Sequence, residues 1–233
     1  MRVLVTRPMD DASATGARLR ELGHTALIAP LLSVHYHDGP ALDLGGVQGV
    51  LATSANGVRA LARRTPRRDL PVYAVGPQTA AASREAGFTH VESADGDALA
   101  LAKAVPRWAM PGNGALFHPT GGEGAGRLVA ILGADGYEVR TLVLYEVVAA
   151  AALPDDAACA LSQATLDAAL FFSPRSARVF AQCVAAGGLS ETCTRLDAVC
   201  ISEAAAKALS PLIFKVVRIA PRPNQEDLLA GLL

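Results

Sequence analysis

The chain has 233 residues, 51% of them hydrophobic, and its 21 Lys and Arg against 22 Asp and Glu leave a formal net charge of −1. That length allows one large domain or two modest ones with proper cores, and the near-neutral balance argues against a nucleic-acid partner, which would call for a basic footprint. No apolar run approaches the roughly 18 to 20 residues of a membrane helix; the opening MRVLVTRPMDD goes from a short apolar run straight into acids, unlike a signal peptide, so a soluble, cytoplasmic protein with no membrane partner is expected.

In chain order, short aliphatic and β-branched runs recur at 2–6, 25–34, 47–53, 71–75, 90–93, 114–118, 138–147, 167–172, 197–201 and 216–220. Between most of them lie Ala-, Leu- and Arg-bearing segments with apolar residues at helical spacing, such as ASATGARLREL, GVRALARR, QTAAASREAG and AGRLVAILGADG. Strand alternating with helix, the strands nearly continuous in apolar residues, predicts parallel sheets covered on both faces, the α/β class. The basic run RRTPRRD at 63–69 reads as cations at a helix C-terminus. Cys159, Cys183, Cys193 and Cys200 contain no C-x-x-C pair and have no histidines at metal-ligand spacing. They predict reduced, mostly buried thiols and no metal site.

The chain also repeats itself. LATSANGVRALA at 51–62 is answered by LFFSPRSARVFA at 170–181, so that Ser54 and Arg59 correspond to Ser173 and Arg178. VYAVGPQTAAASREAG at 72–87 is answered by AVCISEAAAKALSP at 198–211, and the opening strand-helix-strand unit has its partner in the segment that starts GALFHPTGGEG. Because the opening unit matches one in mid-chain, the first domain should start at the N-terminus, be interrupted, and finish with the C-terminal third. This predicts two five-stranded α/β domains, one spanning 1–34 plus 149–233 and the other 38–142, with antiparallel linkers near 35–37 and 143–148. Ligands of such folds sit at the carboxyl ends of the strands.

Taken together and in this order, VLVTRP, LATSANGVRAL, VYAVGPQTAAASREAG, YEVRTLVLYEV and LFFSPRSARVF resemble the uroporphyrinogen-III synthase family over essentially the whole chain. The resemblance implies two flavodoxin-like domains on a two-stranded linker with an open cleft. It implies closure of the linear tetrapyrrole hydroxymethylbilane to uroporphyrinogen III, with inversion of the last pyrrole ring and loss of water, by a monomer that uses no cofactor. A hydroxyl must leave the first ring's methylene to give an azafulvene, and the last ring then attacks through its substituted carbon to form a spiro intermediate that fragments and recloses. Electron-rich pyrroles drive much of this themselves, so the protein mainly holds the chain folded and protonates a leaving oxygen.

The substrate's eight carboxylates need donors. The serine at each strand end offers a hydroxyl together with the free N–H groups of the next helix, an anion site by construction, although an ordinary helix cap reads the same way. Ser54 and Ser173 are therefore expected at substrate. Thr79 matches the family's recurrent threonine, Gly76 is expected to let substrate approach its helix, a bulky side chain such as valine there filling that space and straining the turn, and Arg7 is the candidate fixed cation, with a surface salt bridge as the other reading. Tyr145 matches the tyrosine the family places over the cleft, and a phenol suits proton donation; packing of a linker aromatic is the alternative. TGGEGAG at 120–126 lacks the endings of a P-loop or dinucleotide loop and predicts a loop before a helix, its amides near a carboxylate. In the second copy Ser202 and Ala205 stand where Gly76 and Thr79 stand in the first. A two-lobed sensor of polyanions, or an enzyme of a phosphorylated metabolite, would share these features.

Overall fold

The computed structural model describes residues 1–122 and 125–232. Among the described residues the strands are β1 (Arg2–Val5), β2 (Thr25–Ile28), β3 (Leu32–Tyr36), β4 (Val47–Ala52), β5 (Val72–Ala74), β6 (Val91–Ser93), β7 (Ala115–Thr120), β8 (Val139–Val143), β9 (Tyr145–Ala149), β10 (Ala168–Phe171), β11 (Asp197–Cys200) and β12 (Val216–Ile219). The α-helices are α1 (Met9–Glu21), α2 (Ala55–Arg64), α3 (Pro77–Glu85), α4 (Ala98–Ala104), α5 (Ala125–Ala134), α6 (Asp155–Ser162), α7 (Pro174–Ala186), α8 (Glu203–Lys207) and α9 (Gln225–Ala230).

They form two compact units, one of Met1–Ser33 with Val148–Leu233, the other Val34–Val147. The first holds a parallel five-stranded sheet in the order β12-β11-β10-β1-β2, the second a parallel five-stranded sheet in the order β6-β5-β4-β7-β8, and β3 pairs with β9 in a separate two-stranded sheet. The bonds from His37 N–H to the Leu144 carbonyl and from Ala150 N–H to the Leu31 carbonyl give that pair its antiparallel register. Numbered within each unit, the first sheet has the flavodoxin order 2-1-3-4-5. The second has the order 3-2-1-4-5, the same sheet entered at its third strand.

Both apolar runs that read as single long strands are broken in two. The 25–34 run splits into β2 and β3 around Ala29, Pro30 and Leu31, where a proline without an amide donor ends the ladder. The 138–147 run splits at Leu144, whose N–H goes back to the Thr120 carbonyl while its own carbonyl accepts from His37. Central strands β4, β7, β10 and β11 are almost wholly buried, which is why they read as continuous apolar runs. One core gathers Val50, Val58, Leu61, Val72, Phe88 and Phe117, and another Val3, Val5, Leu19, Leu170, Val199 and Leu228.

The basic run falls where a helix end places it. Arg64 donates to the carbonyls of His37 and Pro40, and Arg68 to those of Ala62, Thr65 and Ala86, at the C-terminal ends of α2 and α3. All four cysteines are free; Cys183, Cys193 and Cys200 are buried and Cys159 is exposed. Burial pushes the Cys193 thiol up to about 11 and the Cys200 thiol to about 12, which keeps both as inert thiols.

Candidate active site

In a doubly wound sheet the chain leaves in opposite directions from two neighbouring strands, and the loops that follow those strands diverge to leave a crevice at their carboxyl ends. In the second unit these strands are β4 and β7, and in the first β1 and β10. The residues that follow them are Thr53-Ser54 and Gly121-Gly122 in the second unit, Thr6-Arg7 and Phe172-Ser173 in the first.

Ser54 caps α2 from an extended conformation (φ −155°, ψ 151°), its Oγ accepting from Gly57 N–H at 3.1 Å. Ser173 repeats this almost to the degree (φ −158°, ψ 154°), accepting from Ser176 N–H at 3.1 Å. Both are thus helix caps, and both leave N–H groups of the first helical turn facing the strand ends. The α2 cap sits tightly over β7: a side chain at Gly57 would place its Cβ 2.8 Å from the Pro119 carbonyl oxygen.

Tyr145 opens β9 rather than closing the preceding strand, and it is buried with 8% exposure. Its Oη lies 2.9 Å from Ser54 Oγ, so a phenol, a serine hydroxyl and a helix amide form one hydrogen-bonded series. Thr53 Oγ1 lies 3.0 Å from Nε2 of His118, which is buried on β7. Burial pushes His118 below the ordinary histidine range, and its Nδ1 has no hydrogen bond among the described residues. The TGG turn follows directly. The Leu144 N–H goes to the Thr120 carbonyl, and Gly122 N–H to Thr120 Oγ1 at 3.2 Å. Residues 123 and 124 of the glycine-rich stretch lie outside the described residues.

Gly76 and Thr79 stand at the next junction of the same unit. Gly76 is the N-cap residue of α3, with Pro77 after it and no side-chain cap, and Thr79 is buried in the first turn. A glycine's conformational freedom is not what this turn uses, contrary to expectation. The Gly76 backbone is extended (φ −164°, ψ 178°), and a Cβ there would meet only the Gly96 carbonyl oxygen at 3.7 Å, an ordinary contact. In the second copy Ser202 caps α8 by accepting from Ala205 N–H at 3.3 Å, and Ala205 is fully buried.

Arg7 is buried within the first unit. It forms a salt bridge to Asp11 at 3.2 Å, donates to Thr15 Oγ1 at 3.1 Å and Gln225 Oε1 at 2.9 Å, and lies over the Phe172 ring at 4.2 Å. Of the two readings of Arg7, this geometry matches the salt bridge, here buried rather than at the surface. Thus Ser54 and Tyr145 come together, Gly76 and Thr79 line the neighbouring junction, and Arg7 and Ser173 belong to the other unit. Sequence reasoning did not single out Thr53 or His118, and it read Gly121 only as part of the 120–126 loop. The signal for His118 was a polar residue inside an apolar strand, and that for Gly121 a glycine beside the strand end.

The family description "Uroporphyrinogen-III synthase HemD" matches residues 13–230. The chain belongs to the uroporphyrinogen-III synthase family. It is an enzyme of that type, acting in tetrapyrrole biosynthesis. Among solved structures, uroporphyrinogen-III synthetase from Helicobacter pylori superposes with a TM-score of 0.65 at 19% identity, over 100% of this chain and 98% of the other. A mutant uroporphyrinogen III synthase from the extremely thermophilic bacterium Thermus thermophilus gives 0.52 at 22% identity, over 100% and 97%. At such identities these likenesses speak for the fold. No curated protein sequence matches the chain with significance. Among the described residues no cluster of histidine, cysteine or carboxylate side chains could hold a metal ion.

Proposed function

We propose that this enzyme closes hydroxymethylbilane to uroporphyrinogen III with Tyr145 as the proton donor to the departing hydroxyl. The observation that carries this role is the 2.9 Å contact of the Tyr145 phenol with a serine whose Oγ already accepts a helix amide. With that amide polarising it, the Ser54 hydroxyl donates to the phenol oxygen and leaves the phenol proton directed away from Ser54. The C–O bond of the hydroxymethyl group breaks as its oxygen takes up a proton and leaves as water. The last ring's substituted carbon then bonds to the azafulvene carbon, a neighbouring C–C bond breaks and re-forms at the free carbon, and loss of the ring proton restores aromaticity.

The first-turn N–H groups of α2 and α3, with the Thr79 hydroxyl and the open backbone at Gly76, receive carboxylates in the second unit; Ser173 and the start of α7 offer the same kind of site in the first. Arg7 acts from within, fixing the turn after β1. The near-zero net charge supports an enzyme with no nucleic-acid partner, and we take it to work as a cytoplasmic monomer.

The test is Tyr145→Phe. It should lose about tenfold in rate, at or below the usual range for one general acid, and keep the isomer ratio, since folding of the substrate rests on other groups. A variant at full rate would remove Tyr145 from the chemistry, and one with no turnover at all would mean that the acid, rather than the template, dominates.

A further inference from the structure

Gly121 follows β7 directly and lies against Tyr145. A Cβ built on it would fall 2.7 Å from Cε2 of the tyrosine ring, 2.8 Å from Cζ and 3.2 Å from Oη. Those atoms are the far end of a side chain, the part that gives way when space is lost. Gly121 is not in the left-handed region, unlike its neighbour Gly122 at φ 98°. A side chain at 121 is thus excluded by space and not by backbone strain. The turn cannot easily retreat either, because Thr120 is held at its carbonyl by Leu144 N–H and at its Oγ1 by Gly122 N–H. From the opposite side, Ser54 Oγ meets the phenol at 2.9 Å.

We infer that Gly121 is a positioning residue for the reaction: its bare Cα sets how close the Tyr145 ring lies to β7, and so keeps the phenol within reach of Ser54. This rests on the assignment of Tyr145 as proton donor. Any side chain at 121 pushes the ring off its seat, breaks the Ser54 contact and moves the donor proton from where the hydroxyl departs, while the rest of the substrate site stays in place. Displacements near 1 Å at a reacting group are costly in rate, of the order of a hundredfold at worst.

The experiment uses the full-length enzyme with hydroxymethylbilane and four variants, Gly121→Ala, Tyr145→Phe, the double variant, and Gly133→Ala as a control. Gly133 lies in α5, away from the 120–126 stretch, with nothing within 4 Å of its would-be Cβ. Gly121→Ala should lower kcat about tenfold with KM within about twofold, and the double variant should be no slower than Tyr145→Phe alone. Gly133→Ala should match the parent. With ring-labelled tyrosine, Gly121→Ala should shift the one NMR resonance that disappears in Tyr145→Phe and leave those of Tyr36, Tyr73 and Tyr137 in place. A folded Gly121→Ala enzyme with an unshifted Tyr145 resonance, or one that loses the same factor in the Phe background, overturns the inference. If Tyr145→Phe is slow but Gly121→Ala is not, the positioning role alone falls. If Tyr145→Phe runs at full rate, the proton-donor assignment falls and takes the positioning role with it.

Discussion

The Ser54 hydroxyl has two partners, and the loss of each is read in a different way. Ser54→Ala removes the cap of α2, costing about 1 kcal/mol of stability, and unties the phenol, so kcat should fall together with the melting temperature. Thr79→Ala removes a first-turn hydroxyl that touches neither Tyr145 nor a cap. It should instead raise KM about fivefold, the worth of one ordinary hydrogen bond, with kcat much less affected. Steady-state kinetics of both variants check the split; identical profiles would contradict the separate roles. His118 makes a pH-dependent prediction. Burial lowers its folded pKa below the unfolded value of about 6.5, so as pH falls through 6.5 the unfolded chain takes up the proton first. Its contribution to stability is whole above that pH and declines below it, at a limiting slope of about 1.4 kcal/mol per pH unit, until the folded state is protonated too. Urea melts at pH 7.5, 6 and 5 should therefore show the parent losing its margin over His118→Gln as the pH drops. A margin that stays constant would mean that His118 does not titrate differently in the two states.

The repeated strand-serine-helix junction was legible at the element scale because a cap is local: Ser54 and Ser173 adopt the same backbone angles, and each bonds an amide three residues on. The α/β alternation was legible for the same reason, as buried central strands leave continuous apolar runs. Breaks inside two of those runs were not, since the bonds that end β8 and start β9 at Leu144 go to Thr120 and His37, far away in sequence. Gly76 shows the opposite error, a glycine credited with conformational freedom where the backbone is extended. Gly76→Ala should accordingly fold, at a cost under about 1 kcal/mol because alanine is a poorer N-cap than glycine, and should raise KM by shading the α3 amides. A loss of several kcal/mol in a thermal or urea melt would show that the turn is strained after all.

At the scale of the whole molecule, two sheets of the same strand neighbourhoods are reached by different chain paths, one in flavodoxin order and one entered at its third strand. Internal repetition pointed to the interrupted unit, and five motifs in register pointed to the family, whose description spans residues 13–230. The contact of Tyr145 with Ser54, 91 residues apart, and the space left by Gly121 were not legible, because both depend on which loops the switch point brings together. On the function proposed above, this fold guides an intrinsically reactive bilane to the inverted ring without help from a cofactor. The most direct measurement incubates the enzyme with hydroxymethylbilane and EDTA, oxidises the products and separates the type I from the type III uroporphyrin isomer. Predominantly type III product is expected, at an unchanged rate with the chelator present; a product mixture equal to the enzyme-free type I blank, or activity lost on chelation, would contradict cofactor-free guidance by the fold.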